Sequence, residues 1–405
     1  MAASNSQLFQ PIKVGDVTLN HRVVLAPLTR VRADTNHVPS SPLVKEYYTQ
    51  RASEPGTLLI AEGTIVHPRA GGYAHVPGIW SDAQIEAWKE IVDAIHNKGS
   101  YVYLQLWALG RAAYPEQLQS EDPSYPYVSA SDVPLSGRAE SPRPLTVEEI
   151  KEYVQYFAGA AKNAIHKAGF DGVEVHGANG YLIEQFLKES TNRRTDSYGG
   201  NPENQSRLAL EIVDAVVNAV GPRKTGLRLS PWNTFQGQRL LHYGRCITAH
   251  PRITETGVKD PIPTYSYLVN ELKKAHPRLA YIHVVDPRVD GDENVEDVGH
   301  RSNEFIREIW TKGPGGNEAE DGRRLISAGN YNLATGAELA DNKGDLVAYG
   351  RRFISNPDLP YRLKYNLPLT PYDRSTFYLA GSLEPRGYTD YTFAPREAVS
   401  VATQA

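Results

Sequence analysis

The sequence predicts a single α/β domain, a (β/α)8 barrel spanning residues 1–405. Three observations predict it. Eight short apolar runs recur between Arg22 and Tyr349. Amphipathic, helix-like stretches separate them, as the alternating architecture requires. The chain has 405 residues, long for one domain but within the range of barrels that carry insertions. The competing architecture is an open doubly wound sheet, and the early Gly-rich strand-to-helix turn it needs is missing.

The expected strands are Arg22–Ala26, Thr57–Glu62, Tyr101–Trp107, Gly172–His176, Gly226–Ser230, Tyr281–Asp286, Arg324–Ala328 and Leu346–Tyr349. They show little polar alternation, as expected of parallel strands covered on both faces. Asp82–Asn97 and Thr146–Lys167 are expected helices. Ser81 is placed to cap the first, and Thr146 with Glu149 has capping-box spacing for the second. Ile12–Val14 and Val17–Leu19, around Gly15-Asp16, are expected to pair and plug the barrel's N-terminal end. Three stretches break the pattern: Glu116–Pro144, rich in Ser and Pro; Leu240–Gly257; and the Gly- and acid-rich Gly313–Gly322. The first two follow strands and are expected as irregular loops on the C-terminal rim, where barrels keep their function. The third follows a helix and is expected as a solvated loop at the opposite end.

Composition narrows the function. Hydrophobic residues make up 40%, enough for a large core. The net charge of −4 and the absence of a basic run argue against nucleic acid. A single cysteine, Cys246, excludes an internal disulfide and Cys-rich metal sites. The N-terminus lacks a signal pattern, and no apolar run is long enough to span a bilayer. The expectation is a cytoplasmic protein, monomer or homodimer, without membrane partners.

Unusual residues cluster at strand ends. Gly329-Asn330 follows strand seven and Gly350-Arg351 follows strand eight, where barrels frequently bind phosphate. Glycines there let backbone N–H groups approach an anion, and Arg351 adds a charged fork; glycines required only for turns are the alternative. His176, Asn179 and Tyr181 end strand four. Histidine and asparagine can both donate to one carbonyl oxygen and stabilise charge developing there. A tyrosine phenol stays protonated near neutral pH and can serve as an acid. A lone histidine at a strand end is ordinarily structural, but the adjacent Asn and Tyr shift that balance. Arg228 places a charge in an apolar strand, so it needs a partner: an internal carboxylate, or an anionic cofactor ring.

Three longer stretches carry a resemblance: His176-Gly-Ala-Asn-Gly-Tyr-Leu-Ile-Glu-Gln-Phe-Leu, Asn192-Arg-Arg-Thr-Asp-Ser-Tyr-Gly-Gly-Asn, and Gly350-Arg-Arg-Phe-Ile-Ser-Asn-Pro-Asp-Leu. With the strand-end residues they resemble the Old Yellow Enzyme family of flavin ene-reductases, from Leu8 to about Tyr391. The resemblance implies non-covalent FMN, reduction by NADPH or NADH, and reduction of the C=C bond of an α,β-unsaturated carbonyl compound or nitroalkene. It implies that Pro27, Leu28, Thr29, Gly63 and Gln105 contact the flavin ring, with Arg228 facing its N1/O2 edge. Gly329, Asn330, Gly350 and Arg351 would hold the phosphate. His176 and Asn179 would bind the substrate oxygen, while flavin N5 delivers hydride to the β-carbon and Tyr181 a proton to the α-carbon. Tyr73, Trp107, Phe377 and Tyr378 would form pocket walls. Leu240–Gly257 departs from the family pattern as an insertion, expected as a flap beside the mouth or a retained intron, and in either case unnecessary for the chemistry.

Two rivals come from other classes. A metal-dependent barrel hydrolase would want paired histidines or converging carboxylates at strand ends, and the apolar Val23-Val24-Leu25-Ala26 lacks them. A non-catalytic homologue would be expected to have lost Tyr181 or His176, and both are present.

Overall fold

The computed structural model describes residues 5–237, 260–291, 293–312 and 322–396. Eight parallel strands close into a barrel: Val23–Leu25, Leu58–Ile65, Tyr101–Trp107, Gly172–Gly177, Thr225–Leu229, Tyr281–Val285, Leu325–Ala328 and Leu346–Tyr349. Each lies beside its neighbour in sequence, and strand eight pairs with strand one through Val347 and Val23. The open-sheet alternative is therefore excluded. Strand boundaries follow the expectation closely except in strand two, which runs on to Ile65. The ladder shifts register there between Ala61 and Thr64, so the strand passes Glu62 and Gly63 through an irregularity rather than ending at them.

The core has two layers. Ile12, Val14, Val17 and Leu19 of the N-terminal hairpin cluster with Val24, Ile60, Ile326 and Ala348 inside the barrel, so the hairpin plugs its lower end. Gly15 is needed at the turn: its φ is +55°, and a Cβ would lie 1.9 Å from the carbonyl oxygen of Arg223. The outer layer lies between strands and helices. Helix Asp82–His96 buries Ile85, Trp88, Ile91, Val92 and Ile95 on one stripe, and Ser81 with Gln84 forms a complete capping box. Trp88 is fully buried; truncating such a side chain to alanine typically costs about 3–5 kcal/mol. Helix Val147–Lys162 begins with the expected Thr146/Glu149 capping box, then finishes in a π-helical turn over Asn163–Lys167.

The expectation of an irregular loop over Glu116–Pro144 needs correction. A short helix, Pro115–Glu121, opens the segment, and Val128–Ser129 pairs with Arg143–Pro144. Pro115 takes the first helical turn, where a missing N–H costs nothing. Local composition hides the second feature, because the pairing joins residues far apart in sequence. The Leu240–Gly257 insertion and, apart from Gly322, the Gly313–Gly322 loop lie outside the described residues.

Candidate active site

A cavity of about 780 Å³ opens at the C-terminal end of the barrel. Its lining includes Pro27, Leu28 and Thr29 after strand one, Gln105 and Trp107 on strand three, and His176, Asn179 and Tyr181 around strand four. Arg228, Gly329, Asn330, Gly350 and Arg351 line it from strands five, seven and eight, and Tyr73, Phe377 and Tyr378 complete the walls. Every candidate site residue except Gly63 therefore meets in one space. Gly63 instead packs against a lining residue: a Cβ there would lie 2.7 Å from the Trp107 ring.

Register explains the convergence. His176 sits opposite Arg228, and Arg228 opposite His283 on strand six. Gln105 sits opposite Glu174, two residues before His176 and so on the same face of its strand. The Gln105 amide Nε2 donates to Glu174 at 2.7 Å, and His283 Nδ1 lies 2.8 Å from the other carboxylate oxygen. Burial pushes the Glu174 carboxyl up, but His283 and Arg228 outweigh it and hold the group below the usual carboxylate range. Arg228 is buried; burial lowers its pKa and Glu174 counters it. Its Nε has no hydrogen-bond partner among the described residues. Of the two partners considered for Arg228, the internal carboxylate is present: Glu174 compensates its charge, and Arg228 also lines the cavity.

The strand-four turn presents two donors. The backbone N–H of Ala178 donates to His176 Nδ1 at 3.3 Å. In the neutral ring this leaves the proton on Nε2. Burial holds the imidazole well below its ordinary pKa, with Arg228 and His283 adding to the effect, so His176 is a neutral donor near pH 7. Asn179 adopts a left-handed conformation, φ +57°, which asparagine tolerates better than most residues. Its Oδ1 accepts from Asn233 at 2.8 Å, leaving Nδ2 as its other polar end.

Tyr181 packs edge-on to Trp107, with ring centroids 4.8 Å apart, and to His176 at 5.1 Å. Burial raises its phenol well above the ordinary value, with Tyr73 and Tyr378 contributing. Tyr73 is itself pushed up to about 12, chiefly by burial. Both hydroxyls keep their protons at physiological pH.

At the other side, Gly329 is required by packing, since a Cβ would lie 2.3 Å from Asp286 Cβ. Asn330 follows with φ +53°. Arg351 donates to Asn294 at 2.6 Å. The turn requirement at Gly329 and Asn330 is met here, and Gly350 and Arg351 line the same cavity.

Several lining residues were not anticipated, among them Tyr114, Glu116, Phe235, Tyr331 and Tyr372. They sit outside the barrel strands, on loops and short helical turns, and show no sustained periodicity. Glu174 and His283 were readable in principle as buried-strand polar residues, the signal that singled out Arg228. Among the described residues, no cluster of three or more His, Cys, Asp or Glu could hold a metal ion, and no helix is long and apolar enough to cross a membrane.

A closed eight-stranded barrel with a rim cavity walled by aromatics, a buried guanidinium and two neutral donors defines a class, the TIM-barrel enzymes with an active site on the C-terminal rim. The sequence model of the NADH:flavin oxidoreductase / NADH oxidase family matches residues 7–370. The chain belongs to this family, the Old Yellow Enzyme family, and is an NAD(P)H-dependent FMN oxidoreductase. It is 47% identical over 393 residues to chanoclavine-I aldehyde reductase fgaOx3 of Penicillium roqueforti, covering 96% of this chain and 97% of the relative. It is 41% identical over 409 residues to a probable inactive dehydrogenase, easA, of Claviceps purpurea, covering 99% of each. Among solved structures it resembles Old Yellow Enzyme from Pichia sp. AKU4542, with 37% identity, TM-score 0.81, and 97% and 95% of the two chains covered. It also resembles morphinone reductase in complex with tetrahydroNAD, with 36% identity, TM-score 0.79, and 97% and 99% covered.

Proposed function

We propose that this chain reduces the C=C bond of α,β-unsaturated carbonyl compounds or nitroalkenes, with FMN bound non-covalently and NADPH or NADH as reductant. The observation that carries this reading is the convergence of His176, Asn179 and Tyr181 on a single cavity. The cavity residues fit a flavin: Arg228 Nε is a buried donor without a protein partner, suited to the electron-rich edge of a ring, and Gln105 is locked with its amide nitrogen on Glu174, leaving Oε1 to accept. Pro27, Leu28 and Thr29 would flank the ring, with Gly63 packed against Trp107. Gly329, Asn330, Gly350 and Arg351 would hold the phosphate. When bound and reduced, FMN supplies a hydride.

The protein's own part is orientation and proton handling. Two neutral donors, His176 and Asn179, bind the substrate's carbonyl or nitro oxygen and stabilise the negative charge that develops there. Neutrality matters, because a cationic imidazole would bind anions indiscriminately. Tyr181 donates its phenolic proton to the α-carbon, and burial, by keeping the phenol protonated, maintains the acid in its useful form. Tyr73, Trp107, Phe377 and Tyr378 exclude water around the alkene. The related easA protein is named as probably inactive; the presence of all three donors here supports an active chain, and the aldehyde reductase fgaOx3 supports carbonyl-bearing substrates.

The test is direct. Purified protein should be yellow and release FMN on heating, and after anaerobic reduction it should be reoxidised by 2-cyclohexenone or a nitroalkene. FAD in the supernatant, no flavin after reconstitution, or reoxidation by none of these alkenes would overturn the reading.

A further inference from the structure

The donor role of Asn179 depends on which end of its amide faces the cavity, and a primary amide has two nearly isosteric ends. The structure fixes the choice through a residue with no part in the sequence-based site. Asn233, 4% exposed, lies after strand five. Its Oδ1 accepts from the backbone N–H of Phe235 at 2.6 Å, so its Nδ2 is the end that meets Asn179. That nitrogen donates to Asn179 Oδ1 at 2.8 Å. With its oxygen turned to Asn233, Asn179 presents Nδ2–H on its other side.

The turn behind this pair is fastened by buried charges. Lys188 Nζ donates to the Asn233 carbonyl at 2.6 Å and to that of Ser230 at 3.3 Å, and pairs with Glu184 at 3.4 Å. Glu184 accepts from the Gly180 N–H at 2.6 Å and from Ser230 Oγ at 2.6 Å, and Ser230 Oγ accepts from the Asn179 N–H at 2.8 Å. The backbones of Asn179 and Asn233 are thus held by one network, and among the described residues the amide–amide bond between them is the side-chain contact that sets which way the Asn179 amide points.

We infer that Asn233 is a positioning residue that locks the Asn179 amide with its N–H toward the cavity, making the site selective for ligands that offer an oxygen acceptor. The inference rests on the functional reading above, in which Asn179 binds the substrate oxygen. Asn233→Asp is nearly isosteric but presents acceptors only, so it should turn the Asn179 amide over and aim its oxygen at the ligand. Asn233→Ala leaves the amide unconstrained.

The experiment titrates 4-hydroxybenzaldehyde into flavin-loaded holoenzyme and reads the dissociation constant from the flavin absorbance. Wild type should bind. Asn233→Asp should weaken binding about tenfold or more, on the order of one hydrogen bond lost and one repulsion gained, and Asn233→Ala by less. In an Asn179→Ala background both Asn233 substitutions should change the constant less than twofold. Equal losses with and without Asn179, or Asn233→Ala worse than Asn233→Asp, would overturn the inference. Should Asn233→Asp fail to fold, the cycle of Asn233→Ala and Asn179→Ala decides alone, because additive effects refute the coupling. Failure of flavin-loaded wild type both to bind this aldehyde and to reduce cyclohexenone would instead refute the functional reading itself.

Discussion

The amide of Gln105 donates to the buried carboxylate of Glu174 at 2.7 Å, on adjacent strands and in direct register. Glu174 is 0% exposed; it compensates the charge of Arg228 and pairs with the His283 ring at 2.8 Å. Glu174→Gln should therefore leave the buried Arg228 undercompensated, and removing one partner of such a pair typically costs about 3–5 kcal/mol. Thermal unfolding should shift down by several degrees, and the apoprotein should bind FMN more weakly by isothermal titration. An unchanged melting temperature together with unchanged FMN affinity would show that this network supports neither fold nor cofactor.

Tyr181→Phe should separate the two half-reactions. Flavin reduction by NADPH needs no proton from the phenol and should stay close to the wild-type rate in stopped flow. Reoxidation by cyclohexenone should slow by about 10²–10⁴-fold, the usual contribution of a positioned acid. Nitroalkenes should suffer less, because hydride addition leaves a nitronate stable enough to form without the phenol's proton. Equal rates for variant and wild type with cyclohexenone would remove Tyr181 from the proton-donor role.

Histidines kept neutral by burial make the fold acid-sensitive. His21 is lowered from its ordinary value to about 4 by burial, and its Nδ1 accepts from the Val23 N–H at 3.2 Å. The unfolded chain binds a proton at this residue below its ordinary pKa, whereas the folded chain does not until about pH 4. Stability is therefore full above the unfolded value and falls as pH drops through that window, by at most about 3 kcal/mol for this group. His176 and His283, both lowered chiefly by burial, add in the same direction. Melting temperature should fall between pH 7 and 5, and the slope should be shallower in His21→Gln. A slope identical to wild type would contradict the assignment.

The C-terminal arm that brings Phe377 and Tyr378 to the cavity is held by arginines. Arg30 Nε donates to the Phe377 carbonyl at 3.1 Å, and its Nη2 to Gly387 at 2.8 Å and Thr376 at 3.3 Å; Arg51 Nη2 donates to Tyr388 at 3.1 Å. The guanidiniums of Arg30 and Arg32 each lie 4.9 Å from the centroid of the Tyr388 ring. Arg30→Met should loosen the arm. Limited trypsin digestion should then cut at exposed Arg386 faster than in wild type, and the KM for cyclohexenone should rise several-fold. Unchanged cleavage and KM would mean the arm is held by its other contacts.

Much of this protein is determined by its sequence alone. The barrel was legible because parallel strands covered on both faces must be continuously apolar, and Tyr101–Trp107 and Leu346–Tyr349 emerge with the expected bounds. The caps at Ser81 and Thr146 were legible because capping is a contact between residues three apart. The strand-end residues were legible because a barrel keeps its chemistry on one rim. What only the tertiary structure decided lies between strands. Arg228 has His176 on one side and His283 on the other, and the carboxylate facing it is Glu174. Asn233 meets Asn179 across 54 residues of chain. Register and side-chain direction set those meetings, and neither is written in local composition: a hydrogen bond between distant residues leaves no period behind, and which end of an amide faces the cavity depends on every donor packed around it.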